Sequence, residues 1–501
     1  MKKPFYITTT LPYVNSDPHI GFAMELIRVD VVARQKKIEG YDVFLNTGTD
    51  EHGLKIYRNA QGRSIDTQKY VDEYATKFKE LIPALGIMQE INFVRTTDEH
   101  HVKAAQEFWK LVDKNGYIYK KNYSVKYCVG CELEKTESEL VDGKCPLHPI
   151  QELETIEEEN YFFKFSAFQE KLLELYSKNL ENNDHTTFVI PESRLHEIRS
   201  FVERGIEDFS ISRLASKMPW GIPVPGDEKQ VIYVWFDALI NYISAIGWPD
   251  DIVNDLKVDG SFDKWCRETG GMVQYCGKDN LRQQTAMWQA MLMAADLPPS
   301  KIIIINGFIT GEGGLKMSKS IGNTVNPFEL VKKYGTDALR YFVIRELHPF
   351  EDSAFTIEKF EEAYNAHLAN GLGNLVSRVM KMATVNIIDF DEKLIEVVKK
   401  LPEVIVAYEE YADGFDEFNL QKSANAVWSL VSIADKIVQE REPFKKIKVD
   451  RENAIKDIQE LLAFLDIIGN LLLPILPKTG ETIIDLVKNG KMPEQPLFIR
   501  K

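Results

Sequence analysis

The sequence predicts an α/β fold: a doubly wound parallel sheet, broken by an inserted cysteine-bearing domain and followed by an α-helical bundle. Three observations carry this expectation. The first part of the chain alternates strand, helix and strand. Short apolar runs bounded by turn residues recur at 231–236, 272–276 and 302–306, each reading as a buried parallel strand. Beyond residue 355 the strand signal stops until the last residues, and segments of helical period continue to Leu486.

The elements follow in order. Residues 5–10 are β-prone, and Asp17-Pro18 then marks a helix start, with Asp17 suited to the N-cap and Pro18 to the first helical position. An amphipathic segment, 20–38, ends at Gly40. Residues 43–46 form the next strand and lead into Gly48-Thr49-Asp50-Glu51-His52-Gly53. This is a Rossmann-type unit, with ligand chemistry expected at the strand carboxyl ends. From 116 to 229, cysteines, short β-like runs and acidic stretches indicate an insertion. The expected divisions are 1–115 and 230–310 for the two halves of the sheet domain, 116–229 for the insertion, 311–355 for a connecting region, and 356–501 for the bundle.

Composition narrows the function. A chain of 501 residues implies about three domains. An apolar fraction of 44% and a charged fraction of 27% suit a soluble globular protein. No segment reaches the ~18 uninterrupted apolar residues of a membrane span. The apolar stretch 464–477 is interrupted by Asp466, Asn470 and two prolines, so it reads as a core helix. The N-terminus lacks an apolar signal region, so no signal peptide is expected and the protein is placed in the cytoplasm. A net charge of −15 argues against a generic nucleic-acid binder and leaves RNA binding to a local basic face. Five cysteines, three of them clustered, point to a metal site in a reducing compartment.

Two distant motifs describe a way of handling ATP. His19-Ile20-Gly21 stands at the strand-to-helix junction. The first turn of a helix carries unpaired N–H groups and positive dipole character, which favour phosphate. Gly21 lacks a Cβ, so a flat base can lie against the backbone, and His19 can donate to a phosphate oxygen. Far downstream, Gly311-Glu312-Gly313-Gly314-Leu315-Lys316-Met317-Ser318-Lys319-Ser320 sets three glycines before two lysines. Such a loop can open and close, and Lys316 and Lys319 can set positive charge on a departing pyrophosphate alongside Mg²⁺. A carboxylate substrate, ionised at neutral pH because its pKa is about 3.5, needs no protein base to attack the α-phosphate. Positioning and charge stabilisation are then the whole task. The pair resembles the class I aminoacyl-tRNA synthetases. Phe22 stands where that pattern usually has a second histidine, which removes one hydrogen bond to phosphate and predicts slower activation.

Cys128-x2-Cys131-x13-Cys145-x2-His148 supplies three thiolates and one imidazole, a closed tetrahedral set for one structural Zn²⁺, with Gly130 allowing the tight turn. Cys266 and Cys276 lack partners at ligand spacing and are expected in the core. A single Cys3His knuckle in an insertion of modest size resembles the methionyl-tRNA synthetases. So do Leu11-Pro12-Tyr13-Val14-Asn15, Thr47-Gly48-Thr49-Asp50-Glu51-His52-Gly53, Ile211-Ser212-Arg213, Trp220-Gly221-Ile222-Pro223-Val224-Pro225 and Tyr233-Val234-Trp235-Phe236-Asp237-Ala238, in the family's order.

The resemblance implies a ligase that makes methionyl-adenylate from methionine and ATP and passes methionine to the terminal adenosine of tRNA(Met). It implies Leu11 and Asp50 at the methionine amine, and Tyr13, Trp235, Ala238, Tyr242 and Trp288 around the thioether, a polarizable group that suits aromatics. It implies Asp279 at the adenylate ribose and Arg213 as electrostatic support. Gln283-Gln284 stands where the family commonly has Phe-His, so Gln284 forms a changed pocket wall and homocysteine is the natural wrong substrate. The bundle resembles the family's anticodon-binding domain through Asn370-Gly371-Leu372-Gly373-Asn374-Leu375-Val376-Ser377-Arg378. Asn374 and Arg378, four apart, would share a helix face and read unstacked bases. Phe444, with Lys445, Lys446 and Lys448 beside it, takes the place of the family's base-stacking tryptophan, and core packing is its other reading. No appended dimerisation module is expected, which points to a monomer. The alternatives are a cysteinyl enzyme of the same class and a non-catalytic tRNA-binding relative.

Overall fold

In the computed structural model, which describes residues 2–131, 133–135, 140–181, 187–249, 262–314 and 325–501, six strands form the central sheet. They are β1 (Pro4–Thr8), β2 (Asp42–Thr49), β3 (Asn92–Arg95), β4 (Val189–Ile190), β5 (Val273–Gly277) and β6 (Ile302–Asn306), in the order β3-β2-β1-β5-β6-β4. The pairs β1–β2, β2–β3, β1–β5 and β6–β4 are parallel. β6 reads Ile-Ile-Ile-Ile-Asn and is buried throughout, as a strand covered on both faces requires. The chain leaves β1 for β2 and β3 on one side and returns to β5 on the other. The order therefore reverses at β1, and a ligand crevice is expected at the carboxyl ends there. Thr8 ends β1 between Asn46 of β2 and Gln274 of β5. At Gly48 a Cβ would fall 1.8 Å from the Val94 carbonyl oxygen, so only glycine lets β2 and β3 pair at this point.

The chain divides into two units. Residues 1–18, 40–81 and 89–305 form the first, and 19–39, 82–88 and 306–501 the second. In the first, an antiparallel sheet orders Leu133–Lys135, Ile118–Cys128, Glu154–Phe163 and Phe209–Ser210. The edge strand β4 lies within the stretch expected as the insertion but pairs with β6 of the central sheet. The run 231–236 departs from expectation. Asp227–Ile232 pairs antiparallel with Pro223–Val224 and Ser212–Leu214, and Val234–Ala238 is helical. Gly226, at φ +81°, turns the chain back sharply before this run, and a short apolar run carries no period that separates strand from helix.

In the second unit, α1 (Ile20–Ile38) begins at His19 rather than Asp17. His19 is extended (φ −124°, ψ 168°) and its Nδ1 accepts from the Gly21 N–H at 3.1 Å, so the imidazole caps the helix. Asp30 of α1 is fully buried and accepts from Arg340 Nη2 at 2.7 Å, Arg34 Nε at 2.8 Å and the Met88 N–H at 2.8 Å. Arg340, also fully buried, donates to the carbonyls of Ile475, Pro474 and Leu85. The bundle is helical as expected. Pro402–Asp416 packs on Leu420–Arg441, which meets Arg451–Leu472, and the last helix, Pro477–Asn489, lies against Arg451–Leu472.

Candidate functional site

The carboxyl end of β2 runs into Asp50-Glu51-His52, and hydrogen bonds hold each of these residues. The Asp50 N–H donates to the Pro12 carbonyl at 3.0 Å and its own carbonyl accepts from the Val14 N–H at 3.1 Å, which clamps Tyr13 beside it. Glu51, fully buried, accepts from Arg95 through both carboxylate oxygens, at 2.7 and 2.8 Å, and from Thr49 and Thr97. His52 Nδ1 lies 2.6 Å from Asp237 Oδ2, and His101 Nε2 lies 2.8 Å from Asp237 Oδ1. The other His101 nitrogen meets Ser244 Oγ at 2.9 Å. Burial acts to raise the Asp237 carboxyl, but the charge and hydrogen bonds of His52 and His101 outweigh it and hold it below the ordinary carboxylate range.

A second cluster gathers Tyr242, Gln284 and Trp288. Gln284 Nε2 donates to Tyr242 Oη at 2.8 Å, and the Tyr242 ring faces Trp288 with centroids 5.8 Å apart. Tyr6 Oη donates to the Tyr242 carbonyl at 2.9 Å. All three of Tyr242, Gln284 and Trp288 are buried. Trp235 and Ala238 lie on the helix Val234–Ala238, two residues before and one after the carboxylate that anchors His52. Leu11, partly buried, packs against the core of the first unit. Arg213 is buried, donates to Ser210 Oγ at 2.6 Å, and stacks on Tyr233 with its guanidinium 4.2 Å from the ring centre. Asp279 is exposed, just beyond β5.

At His19-Ile20-Gly21 the helix start is tied to neighbouring groups. The helix start does not present bare amides: the Ile20 N–H donates to the Val325 carbonyl, Gly21 to His19 Nδ1, and Phe22 to the His19 carbonyl. Because Nδ1 accepts, a neutral His19 carries its proton on Nε2, which makes the exposed imidazole edge the donor. A Cβ at Gly21 would stand 3.0 Å from the His19 ring, so glycine here gives the imidazole room. Phe22 is buried in the core. Lys316 and Lys319 lie outside the described residues. Val325, the first described residue after them, meets the first amide of α1.

The knuckle is assembled. The ligand atoms of Cys128, Cys131, Cys145 and His148 all lie within 4.8 Å of one another. Cys131 Sγ is 3.5 Å from Cys145 Sγ and 3.2 Å from His148 Nδ1, and Cys128 Sγ is 3.7 Å from the same nitrogen. Zinc bonds of ~2.3 Å to sulfur and ~2.0 Å to nitrogen give tetrahedral edges of about 3.5–3.8 Å, so the residues fit one ion. A Cβ at Gly130 would stand 2.6 Å from the His148 ring, so glycine here makes room for the fourth ligand. These four residues form a group able to bind a metal. Cys266 and Cys276 are buried, as expected.

In the second unit Asn374 is exposed, and Arg378, one turn further along the same helix, bonds Asp435 at 2.8 Å. Phe444 is 44% exposed, which sets aside its core reading. Its neighbours Lys445 and Lys446 are ion-paired to Glu442 and Asp457.

Comparison with known proteins gives this arrangement its family. A family model described as class I tRNA synthetases (M) matches residues 5–155 and 149–380, and one described as the anticodon binding domain of methionyl tRNA ligase matches 389–495. The chain belongs to the methionyl-tRNA synthetase family. A methionine–tRNA ligase of Caldanaerobacter subterraneus is 39% identical over 97% of this chain and 74% of its own length. One of Thermosynechococcus vestitus is 38% identical over 96% of this chain and 90% of its own. The Mycobacterium tuberculosis methionyl-tRNA synthetase solved with methionyl-adenylate superposes with a TM-score of 0.86 at 33% identity, covering 97% of this chain and 94% of that one. The chain is thus a synthetase of the methionine-specific family, with ligase activity and an anticodon-binding domain, and its partners are ATP, methionine and tRNA. The cysteinyl and non-catalytic alternatives give way to these matches. No described helix is long and apolar enough to cross a membrane.

Sequence reasoning missed the ties that hold the site. Asp237 carried a signal, a carboxylate inside an otherwise apolar run, which demands a buried partner. Nothing local named His52 and His101 as those partners.

Proposed function

We propose that this synthetase activates methionine through the residues that the sequence singled out. The methionine carboxylate attacks the α-phosphate of ATP, the bond to the bridging oxygen breaks, and pyrophosphate leaves with methionyl-adenylate retained. The 3′-terminal adenosine hydroxyl of tRNA(Met) then attacks the activated carbonyl and AMP departs. Asp50 and Leu11 receive the α-amine, and Tyr13, Trp235, Ala238, Tyr242, Gln284 and Trp288 enclose the side chain. Asp279 takes the ribose and Arg213 supports the reacting groups. His19, through Nε2–H, and Gly21 serve the ATP phosphates, while Lys316 and Lys319 neutralise the departing pyrophosphate, with Mg²⁺ alongside.

The observation that carries this reading is the Tyr242–Gln284–Trp288 cluster, an aromatic wall with a fixed hydroxyl that suits a thioether. The knuckle is assigned one structural Zn²⁺, since four protein ligands leave no open position. Asn374, Arg378 and Phe444 are assigned to the anticodon. The division into 1–115 with 230–310, 116–229, 311–355 and 356–501 is kept as the layout of activation, metal knuckle, connection and anticodon reading. The enzyme is taken to act as a cytoplasmic monomer. ATP–pyrophosphate exchange run separately with methionine, homocysteine, cysteine, leucine and valine tests the chemistry. Methionine should support exchange best. Failure of methionine to support exchange with folded, metal-loaded enzyme would overturn the reading.

A further inference from the structure

Behind Tyr242 runs a line of buried uncharged polar side chains that no role above absorbs. The Ser300 N–H donates to Gln289 Oε1 at 3.0 Å, and Gln289 Nε2 donates to the Gln284 carbonyl at 2.8 Å and to Ser300 Oγ at 3.0 Å. Ser300 Oγ donates to Gln274 Oε1. Gln274 Nε2 donates to Gln284 Oε1 at 3.0 Å, and Gln284 Nε2 to Tyr242 Oη at 2.8 Å. Gln274, Gln284, Gln289, Ser300 and Tyr242 are each at most 3% exposed.

Two backbone groups that cannot reverse fix the sense of the Gln289 carboxamide. An N–H only donates, so the oxygen of the Gln289 amide must face Ser300 N. A carbonyl only accepts, so its nitrogen must face the Gln284 main chain. Ser300 Oγ accepts from Gln289 and donates to Gln274 Oε1. The Gln274 carboxamide then shows its nitrogen to Gln284, and Gln284 shows its nitrogen to Tyr242. In this sense every donor along the line meets an acceptor, as a buried polar line requires. Tyr242 Oη therefore accepts a hydrogen bond from Gln284 Nε2, and its own O–H points away from that nitrogen.

We propose that Gln289, Ser300 and Gln274 are positioning residues that act through Gln284 to hold the Tyr242 hydroxyl as a donor to the substrate sulfur, and so set the preference for a thioether over a methylene. The inference rests on the assignment of Tyr242 to the methionine side chain. It concerns this chain's own solution: a relay of carboxamides and one hydroxyl does with uncharged groups what orients a tyrosine proton.

Norleucine, in which a methylene replaces the sulfur, is the probe. ATP–pyrophosphate exchange gives kcat/KM for methionine and for norleucine in the wild type and in Tyr242→Phe, Gln274→Met and Ser300→Ala. Gln274→Met keeps the side-chain length, and Ser300→Ala removes a single oxygen and carries the test if Gln274→Met fails to fold. Tyr242→Phe should lower the methionine-to-norleucine ratio roughly fivefold, the worth of about one hydrogen bond. Gln274→Met and Ser300→Ala should lower it in the same sense while KM for ATP stays at the wild-type value. If Tyr242→Phe leaves the ratio unchanged, the pocket assignment itself falls. If Tyr242→Phe lowers it but neither relay variant does, the pocket stands and the relay is refuted. Equal losses for both amino acids in the relay variants would mean packing alone and would also refute it.

Discussion

Arg340→Leu should be among the most destabilising single substitutions in the second unit. The guanidinium is fully buried, pairs with a fully buried Asp30 at 2.7 Å, and closes three main-chain carbonyls, Ile475, Pro474 and Leu85. Leucine fills much of the volume but leaves three carbonyls without that donor and Asp30 with one cation fewer. Removing one partner of a buried pair costs ~3–5 kcal/mol. At about 2–4 °C per kcal/mol for a domain of roughly 150–250 residues, the melting transition of the unit should fall by about 6–20 °C. Asp30 still holds Arg34 and the Met88 N–H, so the lower half of the range is favoured. Arg34, whose side chain is 23% exposed, is the internal control: Arg34→Leu should cost less than half as much. Differential scanning calorimetry on the zinc-loaded protein reads both. Since Asp30 lies on α1, whose first turn His19 caps, Arg340→Leu should also slow pyrophosphate exchange below the melting range. A melting point within about 2 °C of wild type would refute the view that this guanidinium ties α1 to the bundle.

Three further outcomes follow from the same geometry. Cys131→Ser should lose the bound zinc, read by metal analysis of the purified protein, and lower the stability of the knuckle; unchanged metal content would remove the site. Asp237→Asn should leave one of His52 and His101 without its acceptor and cost about 1–3 kcal/mol at neutral pH. Because the Asp237 carboxyl is held below its ordinary range, its stabilisation is present above the unfolded pKa of about 3.9 and is lost as pH falls through the lower folded value. Acid unfolding below about pH 4 should therefore be shallower in Asp237→Asn than in wild type, and identical acid limbs would contradict the network. Phe444→Ala should weaken tRNA binding by the ~1–3 kcal/mol of one stacked base while sparing methionine-dependent exchange; unchanged tRNA affinity would return Phe444 to the ordinary surface.

What the sequence disclosed was whatever depends on near neighbours. The knuckle was legible because four side chains able to hold a metal fall within about twenty residues, and their types suit a tetrahedral site. β5 and β6 were legible because an apolar run bounded by turns has few other uses. The helices of the bundle were legible from their period. The failures are of another kind. β4 is two residues long, too short to carry a pattern, and exists because it pairs with β6. The run 231–236 was misread because Gly226 reverses the chain just before it. The cap of α1 went to His19 because its own imidazole reaches the Gly21 amide, which the aspartate two residues earlier does not.

The same division applies to the candidate site. The residues proposed to face substrate sit inside recognisable motifs, whereas the residues that hold them do not. Asp237 reaches His52 and His101 across long stretches of chain, and Gln274 reaches Gln284 and Ser300 between separate elements. These supports are polar, buried and mutually satisfied, and each is expensive to leave alone in a core. A glutamine, a serine or a histidine in sequence says only that some partner is needed. The partner is chosen by topology: Thr8 at the end of β1 has Asn46 on one side and Gln274 on the other because the sheet reverses there. The reversal at β1 is thus also what sets Gln274 beside Thr8, from where it reaches Gln284. At this position the chain supplies a carboxamide, with its oxygen on Gln274 and its nitrogen on Tyr242. Gln284 is then not a degraded histidine. It has no proton to lose or gain near neutral pH, and its direction is set by neighbours rather than by its own titration.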